Sequence, residues 1–68
     1  MRTVTITGEV IRLGQLLKLA DAVDTGADVK PLLASEAVHV NGLVETRRGR
    51  QLRAGDVVAI GEDEVLIA

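Results

Sequence analysis

The chain has no Phe, Tyr, Trp or Cys, and only one Pro and one His, among its 68 residues. Without cysteine it forms no disulfide, offers no thiol chemistry and assembles neither a four-Cys nor a Cys/His zinc site. Without Phe, Tyr or Trp it lacks the rings on which splayed bases stack, which leaves Arg planes as the only stacking surface and counts against readers built like the RRM or cold-shock domains. No apolar run approaches the roughly 18 residues of a membrane span. The N-terminus, Met1-Arg2-Thr3-Val4-Thr5-Ile6-Thr7-Gly8, alternates polar and apolar residues and has no signal-peptide core. An intracellular, cytoplasmic location is the default expectation. Catalysis is not expected: the lone His39 and the only serine, Ser35, suggest no nucleophile-base-orienter set. Gly8 and Gly14 fit no phosphate-loop fingerprint, and Glu62-Asp63-Glu64 lacks the spacing of a calcium loop. No cofactor, metal or small-molecule substrate is expected.

What remains is an aliphatic chain, 47% hydrophobic through Leu, Val, Ile and Ala. Its length allows one domain, residues 1–68, and no second core. A chain this small buries roughly 60% of the surface that its unfolded form exposes. A net stability of about 3–5 kcal/mol follows.

Thr3 to Thr7 alternates, with Val4 and Ile6 on one face, as a half-buried strand does. From Ile11 the period changes. Leu13, Leu16, Leu17, Ala20 and Val23 recur at helical spacing, predicting an amphipathic helix over residues 12–21. Gly14 weakens its first turn by about 1 kcal/mol relative to Ala. Asp24-Thr25-Gly26 is a turn, and a second helix follows. Thr25 with Asp28 resembles a capping box, but a helix beginning there would hold Pro31 in its interior. Asp28 as N-cap puts Pro31 in the first turn, where N–H groups lack partners anyway. The preferred helix is therefore 29–34, burying Leu32 and Leu33.

Val38-His39-Val40 and Leu43-Val44-Glu45 flank Asn41-Gly42, a hairpin signal because both turn residues tolerate positive φ. A two-residue turn pairs Val40 with Leu43; a bulge would shift that pairing by one. His39 should point away from the face that Val38 and Val40 share. Thr46 to Arg50 reads as an exposed basic loop. Ala54-Gly55-Asp56 is a turn into the strand Val57 to Ile60, and Gly61 to Glu64 a turn into the strand Val65 to Ile67.

Charge is the most informative pattern. The net charge is −2, yet residues 41–53 hold Arg47, Arg48, Arg50 and Arg53 against one Glu, a local +3. The other 55 positions hold four basic and nine acidic residues, a local −5. Clustered like charge repels itself, and a polyanion would relieve that repulsion. Guanidinium groups make forked, charge-assisted bonds to phosphate and stay charged at any relevant pH. The bland alternative is a solvated loop paired with the acidic turns at Asp56 and Glu62-Asp63-Glu64.

LGQLLKLADAVDTG, the second helix, VHVNG and VETRRGRQLRAGDVV together resemble a known family. The chain is similar, over about 11–60, to the RNA-binding domain first described in ribosomal small-subunit protein four, the S4-like domain built on the αL motif. It looks most like the stand-alone bacterial proteins that consist of this domain. The resemblance implies an α+β fold: an αL motif of two short N-terminal helices packed on a small, mainly antiparallel sheet of about four to five strands. It implies contact with structured RNA, ribosomal or transfer, through Lys18, Lys30, Arg47, Arg48 and Arg50, with Arg53 more peripheral. Asn41 and Gly42 would be structural, fixing the turn that presents the loop. The implied partner is RNA, on a ribosome-associated, cytoplasmic monomer with no membrane contact. The chain departs from the family at Ser35-Glu36-Ala37, where glycine is common, so that either Glu36 sits in a strained turn or the turn itself differs. Pro31 is also unexpected and leaves the direction of Lys30 open.

Three other functions compete with RNA binding. A small protein–protein adaptor could use the basic loop, the sheet edge or the helix pair. A ubiquitin-like sulfur carrier needs a C-terminal Gly-Gly, whereas this chain ends Leu66-Ile67-Ala68. A helix-turn-helix reader would need a longer second helix, without Pro31 and with more than one Lys. RNA contact predicts a shared positive face for Lys18, Lys30 and the Arg loop. It also predicts that replacing Arg47, Arg48 and Arg50 with Ala weakens binding without unfolding.

Overall fold

Two helices share one aliphatic core with a five-stranded sheet in the computed structural model, which describes residues 1–68. In chain order the elements are β1 (Arg2–Val4), β2 (Ile11–Arg12), α1 (Leu13–Leu19), a 3-10 turn (Gly26–Asp28), α2 (Val29–Ala34), β3 (Val38–Val40), β4 (Leu43–Val44), β5 (Gln51–Leu52), β6 (Val57–Ile60) and β7 (Asp63–Ile67). The fold is α+β, with two helices and a mainly antiparallel sheet. Two strands come before the helices, so the helices are not N-terminal as expected. No helix is long and apolar enough to cross a membrane.

The sheet order is β1-β7-β6-β3-β4, antiparallel throughout except for β1 beside β7. A separate ribbon pairs β2 with β5, Ile11 opposite Leu52 and Arg12 opposite Gln51. The sequence pattern did not suggest it, because two-residue strands carry no periodicity. Strand β7 also starts earlier than expected, at Asp63, where it pairs with Ile60. Asp63 bonds the Arg2 guanidinium, whose Nη1 donates to the Ala20 carbonyl at 2.8 Å. The two ends of the chain are thereby tied to the end of α1.

Helical spacing decides what α1 buries: Leu13, Leu16, Leu17 and the capping Ala20 are all in the core. Val29 and Leu33 of α2 join them, while Leu32 is half-buried. Val38, Val40, Leu52, Val58, Val65 and Ile67 complete the core from the strands. Alternation holds in β3, where His39 is more exposed than its two neighbours. The capping box and the later helix start both occur. Thr25 and Asp28 cap the 3-10 turn, α2 begins at Val29, and Pro31 lies in its first turn.

Both helices end on a left-handed residue that is not glycine. Asp21 (φ 59°) follows α1, with Ala22 N–H donating to Leu17 and Asp21 N–H to Lys18, a Schellman closure. Glu36 (φ 61°) follows α2, its N–H donating to Leu33. Asp tolerates this region better than Glu, because its short polar chain can bond locally. Glu36→Gly is therefore expected to stabilise the fold by about 1 kcal/mol. In a domain of this size that is about 4–8 °C in Tm. Thermal denaturation checks it, and an unchanged or lower Tm would mean that the turn carries no such strain.

The hairpin takes the tighter register, Val40 opposite Leu43 and His39 opposite Val44. Asn41 (φ 51°) and Gly42 (φ 88°) both have positive φ, as a primed turn requires. Asn41 does more than turn the chain. Its amide donates to Asp56 at 3.1 Å, and its side-chain oxygen accepts the Val57 N–H at 2.9 Å. The Arg53 N–H and this amide together hold the Asp56 carboxyl below the usual range.

Candidate nucleic-acid interface

The segment after the hairpin is built around Glu45, the one buried charged residue, 6% exposed. Its N–H donates to the Val38 carbonyl at 3.0 Å, which extends the β3–β4 ladder by one step. Its carboxylate accepts the backbone N–H groups of Thr46 and Arg47, each at 3.1 Å. Arg47 adds Nε at 3.1 Å and Nη2 at 3.2 Å, and Arg50 adds Nη1 at 2.8 Å. Thr46 to Arg50 is therefore an ordered turn, rather than the freely solvated loop that charge alone suggested. The internal counter-ion is Glu45, and not the acidic turn at residues 62–64.

These bonds, chiefly from the Arg47 and then the Arg50 side chains, hold the Glu45 carboxyl down to about 2. The same contact raises Arg47. A depressed carboxyl contributes stability that is complete above its unfolded value near 4.5 and is lost as the pH falls towards 2. Water around Arg47, whose side chain is 75% exposed, screens the pair, so only part of that shift appears as stability. Urea midpoints measured from pH 6 downwards should fall through that window. The fall should be shallower in Glu45→Gln, and equal slopes would contradict the assignment.

The other side of the turn seats on α1. Arg12, at the N-cap, makes no side-chain cap. Instead the Leu13 N–H donates to Arg50 O at 2.8 Å, and the Gly14 N–H to Arg48 O at 2.9 Å. Two of the amides that every helix leaves unpaired at its start are satisfied in this way. Gly14 allows the approach: a Cβ there would lie 3.5 Å from Arg48 O and 3.6 Å from Val29 Cγ1. Alanine would fit, whereas a larger side chain would push the turn away. The Arg48 guanidinium reaches the 3-10 turn, its Nη2 lying 3.9 Å from where a Gly26 Cβ would be.

Arg48 is consequently the hinge of the basic surface. It lines one groove with Arg12, Gln15 and Lys18 and another with Lys30, Leu33 and Thr46. Arg47, Gly49, Arg50 and Gln51 line an adjoining hollow, joined to the first groove through Gly49. Lys18, Lys30 and Arg48 are exposed and have no acidic partner. Pro31 does not turn Lys30 away from this surface. Arg53 lines none of these grooves; its backbone N–H bonds Asp56 at the turn before β6. Two participants were missed from sequence. Arg12 stands three residues before Gln15 and six before Lys18, a polar stripe that would have pointed to it. Glu45 stands opposite the buried Val38 once the two-residue turn is chosen.

The S4 domain family matches residues 4–68, beyond both ends of the 11–60 segment that carried the resemblance. A Bacillus subtilis (strain 168) protein, "Probable ribosome maturation protein RlbA", is 47% identical over 57 residues, 84% of this chain and 80% of that protein. With nearly every residue matched, this protein belongs to the S4 domain family.

Proposed function

We propose that the whole chain acts as one S4-type module that binds structured RNA of the ribosome. In this reading α1, α2 and the hairpin form the αL motif, and binding rests on phosphates and RNA shape. The observation that carries it is the junction at Arg48, which joins Lys18 and Lys30 across two grooves. Arg47 and Arg50 extend the surface with the guanidinium N–H groups that Glu45 leaves free, and Arg53 is an outlying contact. Asn41 and Gly42 hold the hairpin in place. The relative's name, which refers to ribosome maturation, favours ribosomal over transfer RNA. The protein then works without catalysis, as a monomer in the cytoplasm.

Four unpaired cations, Arg12, Lys18, Lys30 and Arg48, with the half-committed Arg47, predict a log–log salt slope of about −3 to −4.5 for binding to ribosomal RNA. Fluorescence anisotropy across a salt series measures it, and a flat dependence would contradict phosphate contact. One observation favours a protein–protein adaptor instead: edge strand β4 leaves Leu43 74% and Val44 48% exposed. A flat salt response together with loss of partner binding in Leu43→Ser would support that second reading.

A further inference from the structure

We propose that Glu45 is a positioning residue of the RNA-binding turn, so that removing its negative charge weakens RNA binding. The inference rests on the RNA reading above and asks how the turn is held ready. A carboxylate beside a phosphate-binding surface should oppose binding, and its removal should strengthen it. Glu45 is placed to do the reverse. It is buried and accepts five hydrogen bonds from three consecutive-turn residues, Thr46, Arg47 and Arg50.

No residue from Thr46 to Arg50 has an apolar side chain to anchor the turn in the core. Its shape is set by Glu45 from within and by the start of α1 from without, through Arg48 O and Arg50 O. Both holds act on one short segment. With Arg47 and Arg50 bonded to Glu45, Arg48 is the one arginine of the turn without an acidic partner, between the two lysine grooves. Arg47 binds Glu45 through Nε and Nη2, which leaves its Nη1 edge for a phosphate. A long side chain that is already immobile loses less freedom on binding, worth about two- to tenfold in affinity for each. Two arginines and the backbone of the turn are held in this way.

Glu45→Gln keeps the size and one acceptor oxygen but loses the charge. Anisotropy titration with total ribosomal RNA at physiological ionic strength should show about tenfold weaker binding, with the salt slope unchanged. Glu62→Gln, on the turn before β7, makes the same change in net charge and should bind as the wild type does or slightly more tightly. Equal or tighter binding by a folded Glu45→Gln would overturn the proposal. If that variant does not fold, the Arg47 Nε–H resonance of the wild type decides. Slow exchange and a single signal before RNA is added support a preformed turn; protection that arises only with RNA overturns it. A wild type that fails to bind ribosomal RNA would defeat the functional reading, and this inference with it.

Discussion

The variant Lys18→Glu/Lys30→Glu/Arg48→Glu is expected to bind ribosomal RNA at least on the order of a hundredfold more weakly while keeping its fold. All three side chains are exposed and none pairs with an acid. Losing three exposed charge-assisted contacts, at about 1 kcal/mol each, removes about 3 kcal/mol. That is about a hundredfold in affinity, and repulsion from the new carboxylates adds to it. Circular dichroism should be unchanged. The backbone carbonyl of Arg48, which holds Gly14, remains whatever side chain stands there.

The second large effect is on stability, and it corrects what the sequence suggested about the arginines. Arg47→Ala/Arg50→Ala should cost about 2 kcal/mol, because a buried carboxylate loses its two charged partners. The Thr46 and Arg47 N–H groups still donate to it, so the loss is smaller than for a fully orphaned charge. Against a total of about 3–5 kcal/mol for a domain of this size, that is a large fraction. The Arg47/Arg48/Arg50 triple alanine variant therefore confounds binding with unfolding. Urea denaturation of the double variant measures the cost, and a midpoint equal to that of the wild type would mean that the Glu45 cluster contributes nothing to stability.

Fold and site were legible to different depths. The face of α1 could be read directly, since Leu13, Leu16, Leu17 and Ala20 have no polar competitor at helical spacing. The hairpin followed from Asn41-Gly42, whose backbone tolerance admits few alternatives. The special turn at Glu36 was visible as a place where glycine is usual. Tertiary closure was not legible. The β2–β5 ribbon has two residues in each strand, and its pairing depends on α1 bringing distant segments together. The burial of Glu45 was hidden for a similar reason. A lone acid among arginines reads as surface charge until the hairpin register puts it opposite Val38. The basic surface itself needed the fold, because Lys18, Lys30 and Arg48 lie on three separate segments.

Both lysines of the chain, Lys18 and Lys30, lie on the proposed RNA face. Acetylation by an amine-reactive reagent, with and without purified ribosomal subunits, can therefore be read by mass spectrometry at both positions. Protection of Lys18 and Lys30 by bound subunits is the predicted result. Equal modification of both lysines with and without subunits would contradict the account.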